Sequence, residues 1–286
     1  MLDKLSLYLK LIRFDKPVGT IILFLPIALA FTVLDRDYEH LDILLVFAIL
    51  SFLMRSIGCI INDLMDMQYD RQVSRTKNRP LACGAISKIA ALVLLTLLLC
   101  ITFFTALLLK YSTLILGLLA FIPIILYPLM KRFFKYPQLF LGLTFNLGIL
   151  IAANEITGHI TLIAIILYFA AMFHTIAYDT IYAHQDAQDD LVLGLYSTAI
   201  TFGFNNKKII FLCYILFMLG ILLTGLLLGY KFLFFVSIYS LFLYVFYLLS
   251  KWQPQNKAQC YRLFMANIPL LIIINFIFIM ANFYYV

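Results

Sequence analysis

Between Asn62 and Pro80 the chain reads NDLMDMQYDRQVSRTKNRP, an acidic cluster followed at once by a basic one. Asp63, Asp66 and Asp70 stand beside Asn62, and Arg71, Arg75, Lys77 and Arg79 come next. Asn62, Asp66 and Asp70 are spaced i, i+4, i+8, so a helix stacks them on one face. Bare carboxylates stacked in this way repel. A divalent cation among them removes the repulsion, and Mg²⁺ takes oxygen ligands from one or two carboxylates together with substrate phosphates. The basic run would hold the phosphate oxygens that the metal does not reach. Taken alone, the stretch reads equally well as a charged helix end and a solvated loop.

A second cluster changes the weighing. From Tyr178 to Thr198 the chain reads YDTIYAHQDAQDDLVLGLYST, in which Asp179, Asp186 and Asp190 are spaced i, i+7, i+11, again one helical face. Asp186 and Asp190 form a DxxxD pair, and seven of the 14 acidic residues in the chain lie in these two segments. Two acidic clusters, each able to hold Mg²⁺, suggest a two-metal clamp on a diphosphate. Such a clamp, helped by arginines, stabilises a departing pyrophosphate whose negative charge grows as its bond to carbon breaks.

The elements that must position these clusters are membrane helices. The chain has 286 residues, 64% of them apolar and only 12% charged, which describes a polytopic helical membrane protein. The net charge of +7 does not point to nucleic acid, because the cations lie in short loops between apolar runs. The five cysteines show no CxxC pairing and read as small packing residues. The four histidines are too dispersed for a metal site, with His184, inside the second cluster, the one worth watching. An amphipathic opening segment with Lys4, Lys10 and Arg13 precedes nine expected spans, near residues 17–34, 41–61, 89–109, 113–130, 137–153, 161–178, 209–229, 232–250 and 263–285. Residues 1–286 are expected to form a single transmembrane domain around a central cavity. Arg55, seven residues before Asn62, shares a face with the acidic cluster. Gly58 reads as a position of close helix approach. Lysines and arginines concentrate in alternate loops, so the positive-inside rule sets the N-terminus and both acidic loops on the cytoplasmic side. No leader is evident ahead of the first span, which favours the inner membrane of a bacterium over that of a mitochondrion.

These segments resemble the UbiA superfamily of intramembrane aromatic prenyltransferases. NDLMDMQYD is similar to that family's NDxxDxxxD motif, and DAQDD to its second, DxxxD motif. The likeness continues through RFDKPVG at Arg13 to Gly19, RSIGCIIND at Arg55 to Asp63, RTKNRPLACGAIS at Arg75 to Ser87, YPLMKR at Tyr127 to Arg132, YDTIYA at Tyr178 to Ala183 and GLYSTAITFG at Gly194 to Gly203. It covers nearly the whole chain in order, and DKPVG, YPLMKR and DTIYA favour the ubiquinone-pathway branch that prenylates 4-hydroxybenzoate. His184, Gln185, Ala187 and Gln188 vary around the second motif and leave Asp186 and Asp190 in place.

The resemblance implies transfer of a polyprenyl group from polyprenyl diphosphate to the ring of 4-hydroxybenzoate, ortho to its hydroxyl, with Mg²⁺. Asn62 and Asp66 would hold one metal, with Asp63 or Asp70 assisting, and Asp186 and Asp190 the other. Arg75, Lys77 and Arg79 are the candidates for diphosphate oxygens. Tyr127 and Tyr182 would face the allylic cation, which aromatic rings stabilise. The acceptor carboxylate needs a fixed cation, and Arg132, beside Lys131 at the exit of the fourth span, ranks ahead of Arg55 and Arg13. Asp179 would assist the phenol or serve as a structural hydrogen-bonding group. The apolar tail would lie in a groove open to lipid. Two other readings stay open. One is a different acceptor, such as haem, a naphthoate or homogentisate. The other is a cation-coupled transporter, which would more plausibly carry its acids at mid-span and show internal repeats.

Overall fold

The structure is a computed structural model that describes residues 2–285, and among them every regular element is helical. A short helix, α1 (Leu2–Leu11), is followed by α2 (Val18–Leu34), α3 (Leu41–Met65) and the one-turn α4 (Met67–Asp70). Then come α5 (Lys88–Ala106), α6 (Tyr111–Phe133), α7 (Pro137–Phe145), α8 (Leu147–Thr157) and α9 (Leu162–Ala183). Two short helices, α10 (Ala187–Val192) and α11 (Thr198–Thr201), lead to α12 (Asn206–Leu227), α13 (Phe232–Lys251) and α14 (Lys257–Tyr285).

Among the described residues eight helical stretches are long and apolar enough to cross a membrane, so this is a multi-pass membrane protein. Nine were expected. The difference is α2, apolar throughout but only 17 residues long. At 1.5 Å per residue it spans about 25 Å, against a hydrocarbon core of about 30 Å. The stretch Pro137–Thr157 counts once, because α7 and α8 continue each other across a break at Asn146. The buried Asn146 amide donates to the Gly142 carbonyl at 2.8 Å and to Thr175 Oγ1 at 2.9 Å, which satisfies polar groups the break would otherwise strand.

The largest core gathers α2, α8, α9, α12, α13 and α14 around buried Phe217, Phe234, Phe242 and Phe278. A second core joins α1 and α3 to α5 through Leu11, Leu53, Ile57 and Leu98. Asparagines on α14 tie the last helix to earlier ones. Asn282 donates to the Thr32 carbonyl at 2.7 Å, Asn275 to the Leu25 carbonyl at 3.3 Å, and Asn267 accepts from Tyr214 at 2.8 Å. In hydrocarbon such bonds are the polar alternative to unsatisfied amides.

Two helices carry the acidic clusters, and both break in the same way. The sequence spacing predicts continuous helices through Asp70 and Asp190. Instead α3 ends at Met65 and restarts as α4 after Asp66, and α9 ends at Ala183 and restarts as α10 after Asp186. Each junction aspartate has near-identical backbone angles, φ −98° and ψ 7° at Asp66, φ −108° and ψ 0° at Asp186. The hydrogen bond across each junction survives, Asp70 N to Asp66 O and Asp190 N to Asp186 O, both 2.8 Å. The i, i+4 relation of each pair therefore holds although the long helix does not.

Candidate active site

A cavity of about 1090 Å³ runs down the bundle. On α6 its lining reaches from Lys131 to Thr113, about 27 Å along the helix axis. The deep part is apolar, walled by Leu99 and Phe103 of α5, Leu114 and Phe121 of α6, and Phe145 and Ile151 of the broken span. Its polar end is built where α3 and α9 run into their short acidic segments. Asn62, Asp63, Asp179, Asp186 and Asp190 all line it, as do Arg13, Arg55, Arg75, Arg79 and Lys131. Tyr127 and Tyr182 line it too.

Most of these charges are already paired. The Arg75 guanidinium grips Asp186, with Nε donating to Oδ1 at 2.8 Å and to Oδ2 at 3.0 Å and Nη2 closing on Oδ2. Its Nη1 donates to the Tyr182 hydroxyl at 3.1 Å, and the guanidinium lies 5.4 Å from the Tyr182 ring centre. Burial is the largest influence on Arg75 and opposes its charge, but the hydrogen bonds to Asp186 together with the charges of Asp186, Tyr182 and Asp70 outweigh it, so its pKa is raised. Arg79 bridges two carboxylates, Asp63 at 3.1 Å and Asp70 at 2.7 Å. Arg13 also holds Asp63, so the Asn62 end of α3, the basic loop and the N-terminal corner form one network.

Four predicted residues stand outside the cavity wall: Asp66, Asp70, Lys77 and Arg132. Arg132 Nη2 donates to the Met65 carbonyl at 2.8 Å and to Asp66 Oδ1 at 3.1 Å, so it closes the C-terminal end of α3. Burial raises the Asp66 pKa, and the hydrogen bond from Arg132 works against that rise. Lys77 is exposed.

Several groups at the polar end, among them Asp179, Asp190, Lys131 and Arg55, are in no ion pair among the described residues. Asp190 is 6% exposed and in no ion pair among the described residues. Burial pushes its pKa up to about 6, with Lys131 opposing the shift. Arg55 lines the cavity about two helical turns below Asn62, with no hydrogen bond or ion pair among the described residues; its Nε is buried without a partner. Its electrostatic neighbours are Cys59, Tyr127, Tyr178 and Asp179. Gly19 makes its place, since a Cβ there would collide with Arg55 Nε. An unpaired guanidinium in an apolar bundle is costly, and an anion entering the cavity offsets that cost.

Sequence reasoning missed several wall residues. Asn78 of the basic loop, Gln138 beside Asp179, Tyr178, and Tyr261 and Phe264 of α14 all line the cavity. Phe264 packs 4.5 Å from the Tyr182 ring and 5.8 Å from the Tyr178 ring. Asn78 and Tyr178 lie inside the quoted motifs, but nothing local marks Tyr261 or Phe264, which reach the site only because α14 returns to α9. His184 is half-buried, packs edge-on against Trp252 at 5.2 Å and does not line the cavity.

Among the described residues no three His, Cys, Asp or Glu side chains converge closely enough to hold a divalent cation unaided. Asn62, Asp186 and Asp190 nonetheless offer oxygen only, at one end of one cavity. That suits Mg²⁺, which uses few protein carboxylates and completes its shell with water and substrate phosphate.

The profile of a known family, the UbiA prenyltransferase family, matches residues 23–275. The chain belongs to the UbiA prenyltransferase family. Within it, a 4-hydroxybenzoate octaprenyltransferase of Neisseria meningitidis serogroup B is 38% identical over 266 residues, 93% of this chain and 90% of that protein. A 4-hydroxybenzoate octaprenyltransferase of Colwellia psychrerythraea is 43% identical over 205 residues, 71% of each. Among solved structures, an apo UbiA homolog from Aeropyrum pernix superposes with a TM-score of 0.76 at 24% identity, covering 91% of this chain and 97% of that one. A UbiA homolog from Archaeoglobus fulgidus, bound to GPP and Mg²⁺, superposes with a TM-score of 0.71 at 21% identity, covering 97% and 98%. The fold of this chain is therefore the UbiA fold.

Proposed function

We propose that this protein transfers a polyprenyl group from polyprenyl diphosphate to 4-hydroxybenzoate, with Mg²⁺, in ubiquinone synthesis in a bacterial inner membrane. The single observation that carries the reading is one cavity with a dense cationic and carboxylate end and a long apolar end. That division matches a diphosphate joined to an isoprenoid chain, and the apolar end keeps the chain out of water.

In the reaction, the allylic carbon–oxygen bond breaks and the diphosphate leaves with the bonding electrons. A carbon–carbon bond then forms at the ring carbon ortho to the phenol hydroxyl, and that carbon loses its proton. Asn62, Asp186 and Asp190 would hold Mg²⁺, with Asp66 and Asp70 joining once released by Arg132 and Arg79. When bound, the metal supplies charge neutralisation of the departing diphosphate. Arg75 and Lys131 bind diphosphate oxygens. To do so, Arg75 exchanges its Asp186 carboxylate for a phosphate of the same geometry. Arg79 remains tied to Asp63 and orients the loop. The rings of Tyr127, Tyr178 and Tyr182 face the cation that forms at the allylic carbon.

Arg55 holds the acceptor carboxylate. Arg132 ranked first on sequence, but it is engaged outside the cavity, whereas Arg55 is inside and uncommitted. Asp179, a neighbour of both Arg55 and Tyr127, accepts a hydrogen bond from the phenol. Both acidic loops face the cytoplasm, where soluble 4-hydroxybenzoate is available.

Membranes carrying the protein, incubated with labelled 4-hydroxybenzoate and polyprenyl diphosphates, test the reading. Mg²⁺-dependent transfer of label to the organic phase is expected. No product with any donor length, from inserted protein, would redirect the acceptor to a naphthoate, homogentisate or haem.

A further inference from the structure

Of twelve glycines, five take a positive φ, and five others would set a Cβ against a crowded neighbour. Gly58 and Gly117 do neither. Each lies inside a helix, α3 and α6, with no neighbouring heavy atom within 4 Å of where a Cβ would stand. Each also lines the cavity. Glycine is a poor helix former beside alanine, so a helix-interior glycine without a packing or backbone reason needs another one. The reading of Gly58 as a point of close helix approach is thereby corrected, because no helix approaches it.

Position supplies the reason. Arg55, Gly58, Cys59 and Asn62 line the cavity at i, i+3, i+4 and i+7, one face of α3. Arg55 and Asn62 are about 10 Å apart along the helix axis, with Gly58 between them. Any aromatic acid whose carboxylate meets Arg55 and whose ring reaches the diphosphate end must pass the wall at that height. We propose that Gly58 determines acceptor specificity, the absent side chain being the space that the acceptor ring occupies. The inference rests on the proposed prenylation of 4-hydroxybenzoate and on Arg55 as its carboxylate partner. Gly117 differs in its surroundings, among Leu114, Leu118 and Phe121, and clears the prenyl chain instead.

Gly58→Ala and Gly58→Val, in the full chain, test the assignment. Since a Cβ has room, both should insert and unfold thermally no earlier than the parent protein, which separates a filled cavity from a damaged fold. KM for 4-hydroxybenzoate at saturating donor should rise about tenfold or more for Val, and less for Ala, with the donor KM within about twofold. Gly117→Val should do the reverse, sparing the acceptor KM and shifting preference to shorter donors. An unchanged acceptor KM in Gly58→Val, or a rise confined to the donor, overturns the proposal while the parent enzyme's turnover keeps the reaction itself. A parent protein that makes no product from 4-hydroxybenzoate overturns both.

Discussion

Arg13 Nη2 donates to both carboxylate oxygens of Asp63, at 2.7 and 2.8 Å, across 50 residues of chain. Arg13 sits at φ +60°, a left-handed conformation that costs a non-glycine residue energy. Asp63 is 1% exposed, so its charge depends on Arg13 and Arg79. The pair pins the α1–α2 corner to the end of α3. Arg13→Ala should lower stability by about 2 kcal/mol, because it removes one partner of a buried carboxylate. Thermal unfolding in detergent measures it. Arg13→Gly relieves the backbone strain and should lose less.

Asp186→Ala and Asp190→Ala should each reduce turnover at least about a hundredfold with the protein still inserted, since each removes an oxygen donor at the diphosphate end. Asp66→Ala should do the same, provided Asp66 leaves Arg132 during the reaction. Near-normal initial rates in any of them would remove that residue from the metal site.

Arg55→Gln should raise KM for 4-hydroxybenzoate about a hundredfold or more with little change in donor KM, because a charged bidentate partner is lost. Arg132→Gln should instead lower thermal stability, since its bonds go to Met65 and Asp66 at the end of α3. The opposite split between the two variants would return the acceptor carboxylate to Arg132.

Apparent Mg²⁺ affinity should weaken as pH falls through about 6. Burial raises Asp190 into that range, so below it the carboxyl is neutral and must lose a proton to bind the cation. Titration of turnover against Mg²⁺ between pH 5 and 7.5 reads this directly. An affinity that is flat across the range would exclude Asp190 as a ligand.

Chelation should abolish turnover while leaving the melting temperature nearly unchanged. Arg75, Arg79 and Arg132 already neutralise Asp186, Asp70 and Asp66, so the fold does not rely on the ion for that purpose. A large loss of stability with EDTA would instead make the metal structural.

Much of the molecule follows from local chemistry. Long apolar runs must be helices in a bilayer, because every backbone group has to be satisfied within the segment. The helices therefore lie close to where hydropathy sets them, α2 included, although α2 is too short to count among the full-length spans. The acidic clusters pointed to a diphosphate site through residue type and spacing, and Asn62, Asp186 and Asp190 all line one cavity. What the chain order alone left open was which cation is free. Arg13, Arg55 and Arg132 are equally basic in sequence. Only tertiary packing commits Arg13 to Asp63 and Arg132 to Asp66 and leaves Arg55 without an ion pair among the described residues. Pairing energies depend on distances between helices far apart in sequence, and no local pattern encodes them. Tyr261 and Phe264 of α14 join the wall for the same reason, and the open space at Gly58 exists only because neighbouring helices stand away from it.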